Sequence, residues 1–205
     1  MKAIVLLSGG LDSAVTLASA LLKERNCLAL TFDYGQRNRL EIRAAQAISR
    51  YYKVKHRIIK IDSTATISRN STTYLPAQNT LFLAYAMGQA ELIEAQEIYY
   101  SSNAHHQKGN DSKPAYIEAF QKVMNSTNSQ IKLLTPLIHM TKKDIIAEGI
   151  KLNVPLELTL SCNDPSPLGH HCGDCPNCLV RLESFAKAGV NDPTIYKSLV
   201  KVKKK

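Results

Sequence analysis

Ala3-Ile4-Val5-Leu6-Leu7-Ser8-Gly9-Gly10-Leu11-Asp12-Ser13 begins as an unbroken apolar run and ends on a glycine pair followed by an acid and a serine. A run without polar alternation predicts a strand buried on both faces, as in a parallel sheet. Beyond the glycines, Ala14, Leu17, Ala18, Leu21 and Leu22 recur at the spacing of one helix face. Ser8 to Ser13 therefore joins a strand to a helix. Two glycines let the backbone turn sharply and approach an anion without a Cβ clash. The helix start adds unpaired N–H groups and the positive end of its dipole. The Ser8 and Ser13 hydroxyls can donate to phosphate oxygens. Asp12 would repel phosphate unless a divalent cation lay between them, which marks it as a Mg²⁺-linked group. A plain glycine turn with Asp12 capping the helix is the simpler alternative; the placement between a buried strand and an amphipathic helix favours phosphate binding. The Walker pattern lacks its Lys-Ser/Thr here, and the dinucleotide pattern lacks its third glycine.

Working outward, Cys27 to Phe32, His56 to Ile61, Ile98 to Tyr100 and Ile131 to Leu134 read as further strands. Helices are predicted over Leu40 to Tyr51, Leu81 to Leu92, Tyr116 to Met124, Thr141 to about Leu152 and Asn177 to Ala188. Thr141-Lys142-Lys143-Asp144 has the form of a capping box. Asp62 to Pro76 and Asn103 to Pro114 are polar and aperiodic, and read as loops. Strands alternating with helices predict an α/β fold: a doubly wound, mostly parallel sheet covered on both sides. In such sheets ligands sit beyond the carboxyl ends of the strands. The Ser8 loop and Asp33-Tyr34-Gly35-Gln36 both lie at such ends and are expected to face one site.

Four of the five cysteines crowd into Cys162, Cys172, Cys175 and Cys178. Two-residue gaps turn successive thiolates toward one centre, and Cys162 completes a tetrahedron from the preceding loop. Four soft sulfurs with no open position suit structural Zn²⁺, with an iron–sulfur cluster as the rival. His170 and His171 read as a solvated pair that could replace a cysteine ligand. Arg181 and Lys187 follow on a helix. Cys27, alone in an apolar run, reads as a buried small hydrophobe. The expected division is an ATP-binding domain over residues 1–155 and a zinc-binding lobe with a basic tail over 156–205.

The 205 residues are 44% hydrophobic and 21% charged, enough for one medium domain with a small appendage. Nothing approaches the length of an apolar membrane span, and Met1 to Val5 lacks a secretory h-region. The expectation is a cytoplasmic protein with no membrane partner. The formal charge of +9 owes part to the tail Val200-Lys201-Val202-Lys203-Lys204-Lys205. No aromatic residues interleave those lysines, which argues against a nucleic-acid partner and for a solvated end.

The glycine loop resembles that of the PP-loop ATP pyrophosphatase superfamily, which implies cleavage of ATP between the α and β phosphates. Together with the cysteine cluster it is similar to the 7-cyano-7-deazaguanine synthase (QueC) family. The matching stretches are Ser8 to Ser13, Thr31-Phe32-Asp33-Tyr34-Gly35-Gln36-Arg37, Asn79-Thr80-Leu81-Phe82-Leu83, Thr135-Pro136-Leu137-Ile138 and the four cysteines, in the family's order. The resemblance implies that ATP adenylates the carboxylate of 7-carboxy-7-deazaguanine, ammonia displaces AMP to give the amide, and a second ATP drives dehydration to the nitrile. It implies ATP, Mg²⁺ and Zn²⁺ as bound species and a homodimer. It places nucleotide contacts over Leu7, Ser8, Gly9, Gly10, Leu11, Asp12, Ser13, Ala14, Val15, Thr16 and Leu17, with Asp12 and Ser13 as catalytic candidates. Tyr34, Gln36, Arg37, Gln78 and Asn79 are the candidates for adenine, ribose or substrate contacts; packing or capping is the plainer role for Tyr34 and Asn79. His105 and His106 sit in the polar loop, where solvated side chains are the plainer expectation.

The chain departs from the family at Gln78, where an arginine is usual. It departs again at His106-Gln107-Lys108-Gly109-Asn110-Asp111-Ser112-Lys113, which replaces a D-x-S-G-Y-P-D-C-R segment. Only Gly109, Asp111 and Lys113 correspond. A paralogue that takes another deazaguanine, stops at the amide or uses another amine stays open. A PP-loop enzyme that thiolates tRNA would need a catalytic cysteine outside the cluster, and only Cys27 is free. A zinc-binding interaction module without catalysis is the third reading, against which the intact glycine loop stands.

Overall fold

In the computed structural model, residues 1–36, 38–62, 75, 77–103, 110–127 and 130–197 are described. Five strands, β1 (Lys2–Leu6), β2 (Asn26–Asp33), β3 (Lys55–Lys60), β4 (Glu97–Tyr99) and β5 (Lys132–Leu134), alternate with helices. They form one parallel sheet in the order β3-β2-β1-β4-β5. The helices are α1 (Leu11–Leu22), α2 (Leu40–Tyr51), α3 (Gln78–Ile93), α4 (Pro114–Ser126), α5 (Lys142–Lys151) and α6 (Pro176–Ala188). The α/β architecture agrees with the sequence reading, with the edges of each strand shifted by a residue. No helix among the described residues is long and apolar enough to cross a membrane.

The apolar run of β1 is continuous because both of its faces are covered. Ala3, Val5 and Leu7 enter one core cluster with residues of α1, α2, α5 and α6. Ile4 and Leu6 enter the other with Leu83, Ala86 and Ala90 of α3 and Phe120 and Met124 of α4. Period-two alternation thus sends successive side chains to two different cores. Because β1 is central and the strand order reverses between β1 and β4, a crevice opens beyond their carboxyl ends. The Ser8 loop leaves β1 there, and Ser101 to Asn103 leave β4 beside it.

Helix boundaries follow local chemistry. Thr141 caps α5 by accepting from the Asp144 N–H while the Asp144 carboxylate accepts from the Thr141 N–H, the reciprocal capping box. Pro176 starts α6 at its first turn, and Gly189, at φ +73°, ends it in the left-handed region.

Helix α6 is fixed to the main body from both sides. Phe185 is buried in the first core cluster. Arg181, itself buried, pairs with Asp192 at 2.9 Å and donates to Thr159 Oγ1, Ser161 Oγ and the Leu156 carbonyl. Every guanidinium nitrogen is occupied, which is what a buried arginine requires. Tyr196 donates to Asp192 at 2.6 Å and holds the segment after α6 against the same pair. Burial alone would raise the Asp192 carboxyl, but the bonds from Arg181 and Tyr196 outweigh it and hold it below the ordinary carboxylate range.

Gly9 is required where it stands. Its φ is +89°, and a Cβ there would lie 2.2 Å from the Glu41 carbonyl and 2.9 Å from the Ala45 nitrogen. Gly9→Ala should destabilise the fold by about 3 kcal/mol through backbone strain and overlap, read as a shift in urea midpoint at unchanged slope. Asp192→Asn should cost about 3 kcal/mol at pH 7. Because the folded pKa of Asp192 is depressed, its contribution is complete above an unfolded value of about 3.9 and vanishes as pH falls through the folded value. Urea denaturation of parent and variant should therefore converge in strong acid.

Candidate functional site

The Ser8 loop is pre-shaped by its own hydroxyls. Ser13 Oγ donates to the Gly10 carbonyl at 2.9 Å and accepts from the Ser8 N–H, and the Ser8 and Ser13 hydroxyls meet at 3.1 Å. Gly10 is the N-cap of α1, and no side chain caps that first turn. Its N–H groups lack intrahelical acceptors, so the turn presents donors and a dipole to whatever lies in front of it. In front of it is a cavity of 770 Å³, within the range of ligand pockets. Ser8, Gly10, Leu11, Asp12 and Ser13 line its floor beside Leu7.

Asp12 meets partners that lie far from it in the chain. Lys142, at the first position of α5, donates to Asp12 Oδ1 at 2.5 Å. Asn103, fully buried just beyond β4, donates to Asp12 Oδ2. An ammonium group of the chain thus offsets part of the Asp12 charge before any divalent cation arrives. Lys142 also lines the cavity, so one cation serves the acid and faces the space a phosphate chain would fill. Sequence reading missed both partners. The capping box placed Lys142 at a helix start, but nothing in the spacing aimed it at Asp12, and Asn103 was indistinguishable from neighbouring loop residues.

The opposite wall comes from the end of β2 and the start of α3. Phe32 and Phe82 stack at 4.1 Å, and Tyr34 lies 5.7 Å from Phe82. Tyr34, Gln78 and Asn79 line the cavity. Burial, with the nearby Glu41 charge, pushes the Tyr34 phenol up to about 12, against a hydrogen bond with Gln78; Tyr34 stays neutral. Gln36 lines the cavity too and braces the turn: it accepts from the Tyr34 N–H and donates to the Phe32 carbonyl. Asn79 couples to Asp111, whose carboxylate accepts from the Asn79 N–H at the start of α3. Ala14, Val15, Thr16 and Leu17 are buried in α1 and do not line the cavity, and Gly9 is turned against α2. Arg37, His105, His106, Gly109 and the lysine tail lie outside the described residues.

The four cysteines converge. Their sulfurs all lie within 4.8 Å of one another, with Cys162 and Cys172 at 3.4 Å and Cys172 and Cys178 at 3.8 Å. A tetrahedral metal with bonds of about 2.3 Å holds its sulfurs about 3.8 Å apart. Backbone N–H groups of Asp164 and Cys172 donate to Cys162 Sγ, and that of Cys175 to Cys172 Sγ. Such donors favour thiolates. Burial pushes the Cys162 thiol up to about 11 and raises Cys178 further. Cys175 is also desolvated, yet backbone hydrogen bonds at Asn163 and Cys178 draw it down to about 7. The donor set and its spacing fit a zinc ion.

His171 corrects an expectation. It is not solvated but 2% exposed, with Nε2 accepting from the Ser161 N–H at 2.9 Å and its ring against Tyr196. Burial, helped by Arg181, pushes it down to about 4, so it is a neutral packing residue that steadies the loop before the cysteines. Cys27 is buried as expected, and burial pushes its thiol up to about 11, unfit for a nucleophile.

A parallel sheet with a glycine turn at its switch point and an uncapped helix start defines an α/β protein that presents unpaired donors to the crevice beyond its strands. Solved structures share that fold. NMN synthetase from Francisella tularensis superposes with a TM-score of 0.55 at 20% identity, covering 93% of this chain and 77% of its own. The U34-tRNA thiolase NcsA from Methanococcus maripaludis, solved with its 4Fe–4S cluster, gives 0.55 at 16% identity, covering 91% and 65%. The chain belongs to the QueC family: the model described as "Queuosine biosynthesis protein QueC" matches residues 2–189. Relatives named 7-cyano-7-deazaguanine synthase include one from Hydrogenovibrio crunogenus, 40% identical over 96% of this chain and 96% of the relative. Another, from Acetivibrio thermocellus, is 39% identical over 95% and 97%.

Cys175→Ser should lose the bound metal and loosen the segment around α6, since a structural tetrahedral site does not survive loss of a thiolate. Elemental analysis should show the metal gone, and calorimetry a melting point at least ~5 °C lower.

Proposed function

We propose that this protein uses ATP to convert 7-carboxy-7-deazaguanine and ammonia to 7-cyano-7-deazaguanine, through an adenylated carboxylate and then the amide. One arrangement carries the reading: an uncapped helix start with Ser8, Asp12 and Lys142 shares a cavity with an aromatic wall of Phe82 and Tyr34. The first end suits a triphosphate and the second a flat heterocycle. The names of full-length relatives at about 40% identity support the same reaction.

The chemistry follows from leaving groups. A carboxylate oxygen leaves poorly and AMP leaves well. The first-turn N–H groups of α1 orient the phosphates, and Lys142 stabilises charge that grows as pyrophosphate departs. Mg²⁺ entering with ATP offsets that charge further, and Asp12 is the loop's own carboxylate for it. The cavity walls of Leu6, Leu30 and Phe32 limit water at the acyl-adenylate. The cysteine cluster holds zinc in a structural role: an iron–sulfur cube hangs each thiolate on a different iron and spreads the sulfurs wider than they stand here. A cytoplasmic homodimer is part of the same reading, and Leu81, Tyr85 and Leu92 on the outer face of α3 offer an apolar surface for self-association. A relative that stops at the amide is the second reading, carried by Gln78 in the cavity wall in place of the family's arginine.

Incubation with ATP, Mg²⁺, ammonium and 7-carboxy-7-deazaguanine should release AMP and pyrophosphate, with the product mass distinguishing nitrile from amide. No AMP, or AMP independent of the deazaguanine, would refute the assignment. Asp12→Asn should lower AMP release about 100-fold or more while the zinc content stays that of the parent.

A further inference from the structure

Glu41 is a cavity carboxyl with no part in holding the phosphates or the flat heterocycle. It stands in the first turn of α2 and lines the cavity that holds Asp12, Tyr34 and Gln78. Its position is fixed from behind, because the backbone of that turn packs on Gly9 so closely that a Cβ there would reach the Glu41 carbonyl. Among the described residues no hydrogen-bond donor or cation reaches its carboxyl. The bases that line the cavity are committed elsewhere, Lys142 to Asp12 and Arg181 to Asp192. Tyr34 lines the same cavity, and the Glu41 charge helps to raise its phenol.

A half-buried acid in such a cavity is out of place for two of the three reactants. ATP and the deazaguanine carboxylate are anions, and a carboxylate repels both. The third reactant has the opposite sign, because ammonia in neutral water is mostly ammonium. A carboxyl in a cavity that also has an aromatic wall can receive a small ammonium ion, which pairs with the carboxylate.

Resting on the proposed function, we infer that Glu41 seats the ammonium nucleophile and takes its proton. The balance is simple. Ammonium gives one proton to the Glu41 carboxylate and becomes ammonia. The nitrogen lone pair forms the C–N bond at the acyl carbon. The C–O bond to AMP breaks, with its electron pair leaving on the AMP phosphate oxygen. The second surplus proton on nitrogen passes to solvent, leaving the neutral amide. Burial pushes the Glu41 carboxyl up to about 7, so near neutral pH it can both accept that proton and release it afterwards.

Glu41→Gln tests this with the full-length protein, zinc bound and melting point matched to the parent. Substrate-dependent exchange of pyrophosphate into ATP reads adenylation alone and should stay within about threefold of the parent. Amide formation with ammonium should fall about 100-fold or more. Hydroxylamine, mostly uncharged at pH 7, needs no such deprotonation and should give the hydroxamate at near-parental rate. Glu41→Asp should recover part of the ammonium reaction. Equal ammonium rates in parent and Gln variant, or equal loss with both nucleophiles, would overturn the assignment. So would a defect confined to the KM for the deazaguanine, which would make Glu41 a reader of the base. A parent without exchange would refute the functional reading itself and this inference with it.

Discussion

The Asp12 carboxylate, held between Lys142 and Asn103, ties together three segments that meet only at the switch point of the sheet. Asp12 comes from the loop after β1, Asn103 from the end of β4 and Lys142 from the start of α5. A carboxylate this enclosed is stable only because a charge and a donor meet it. The contact therefore does two things. It ties the first turn of α1 to the cavity, and it brings a cation to the cavity wall in front of that turn.

The loop itself works by exclusion. Gly9 lets α2 approach at a distance no side chain permits, and Gly10 caps α1 without a side chain that would consume the free N–H groups. The Ser8 and Ser13 hydroxyls bond to each other and to the loop backbone, so the donors are set before a ligand arrives. Preorganisation of this kind lowers the cost of ordering on binding. The close approach of α2 also carries Glu41 into the cavity wall, so one glycine shapes the phosphate end and places an acid near the other.

The carboxy-terminal segment is held by two devices of different character. The four sulfurs gather the turn between Cys162 and Cys178, and the Arg181–Asp192 pair binds α6 and the chain beyond it to the loop at Thr159 and Ser161. Asn38 adds a bond to the Cys162 carbonyl, and Leu160 donates to the Gly9 carbonyl. The metal-binding turn thus leans directly on the glycine loop and on the entry to α2. The cysteine turn and the glycine loop thus fix each other's geometry.

The sequence by itself determined the alternation of strands and helices, the buried run of β1, the glycine turn at its end and the sulfur tetrad. Each of these is a local pattern: period, residue type or short spacing. It also carried the family, because the matching stretches keep their order along the chain. Only the tertiary structure decided that Asp12 is met by Lys142, that Gln36 serves its own turn, that His171 is buried rather than solvated, and that Glu41 faces the cavity. The physical reason is the same in each case. Charge pairing, desolvation and cavity lining depend on which distant segments the sheet order brings together, and no local period records that order.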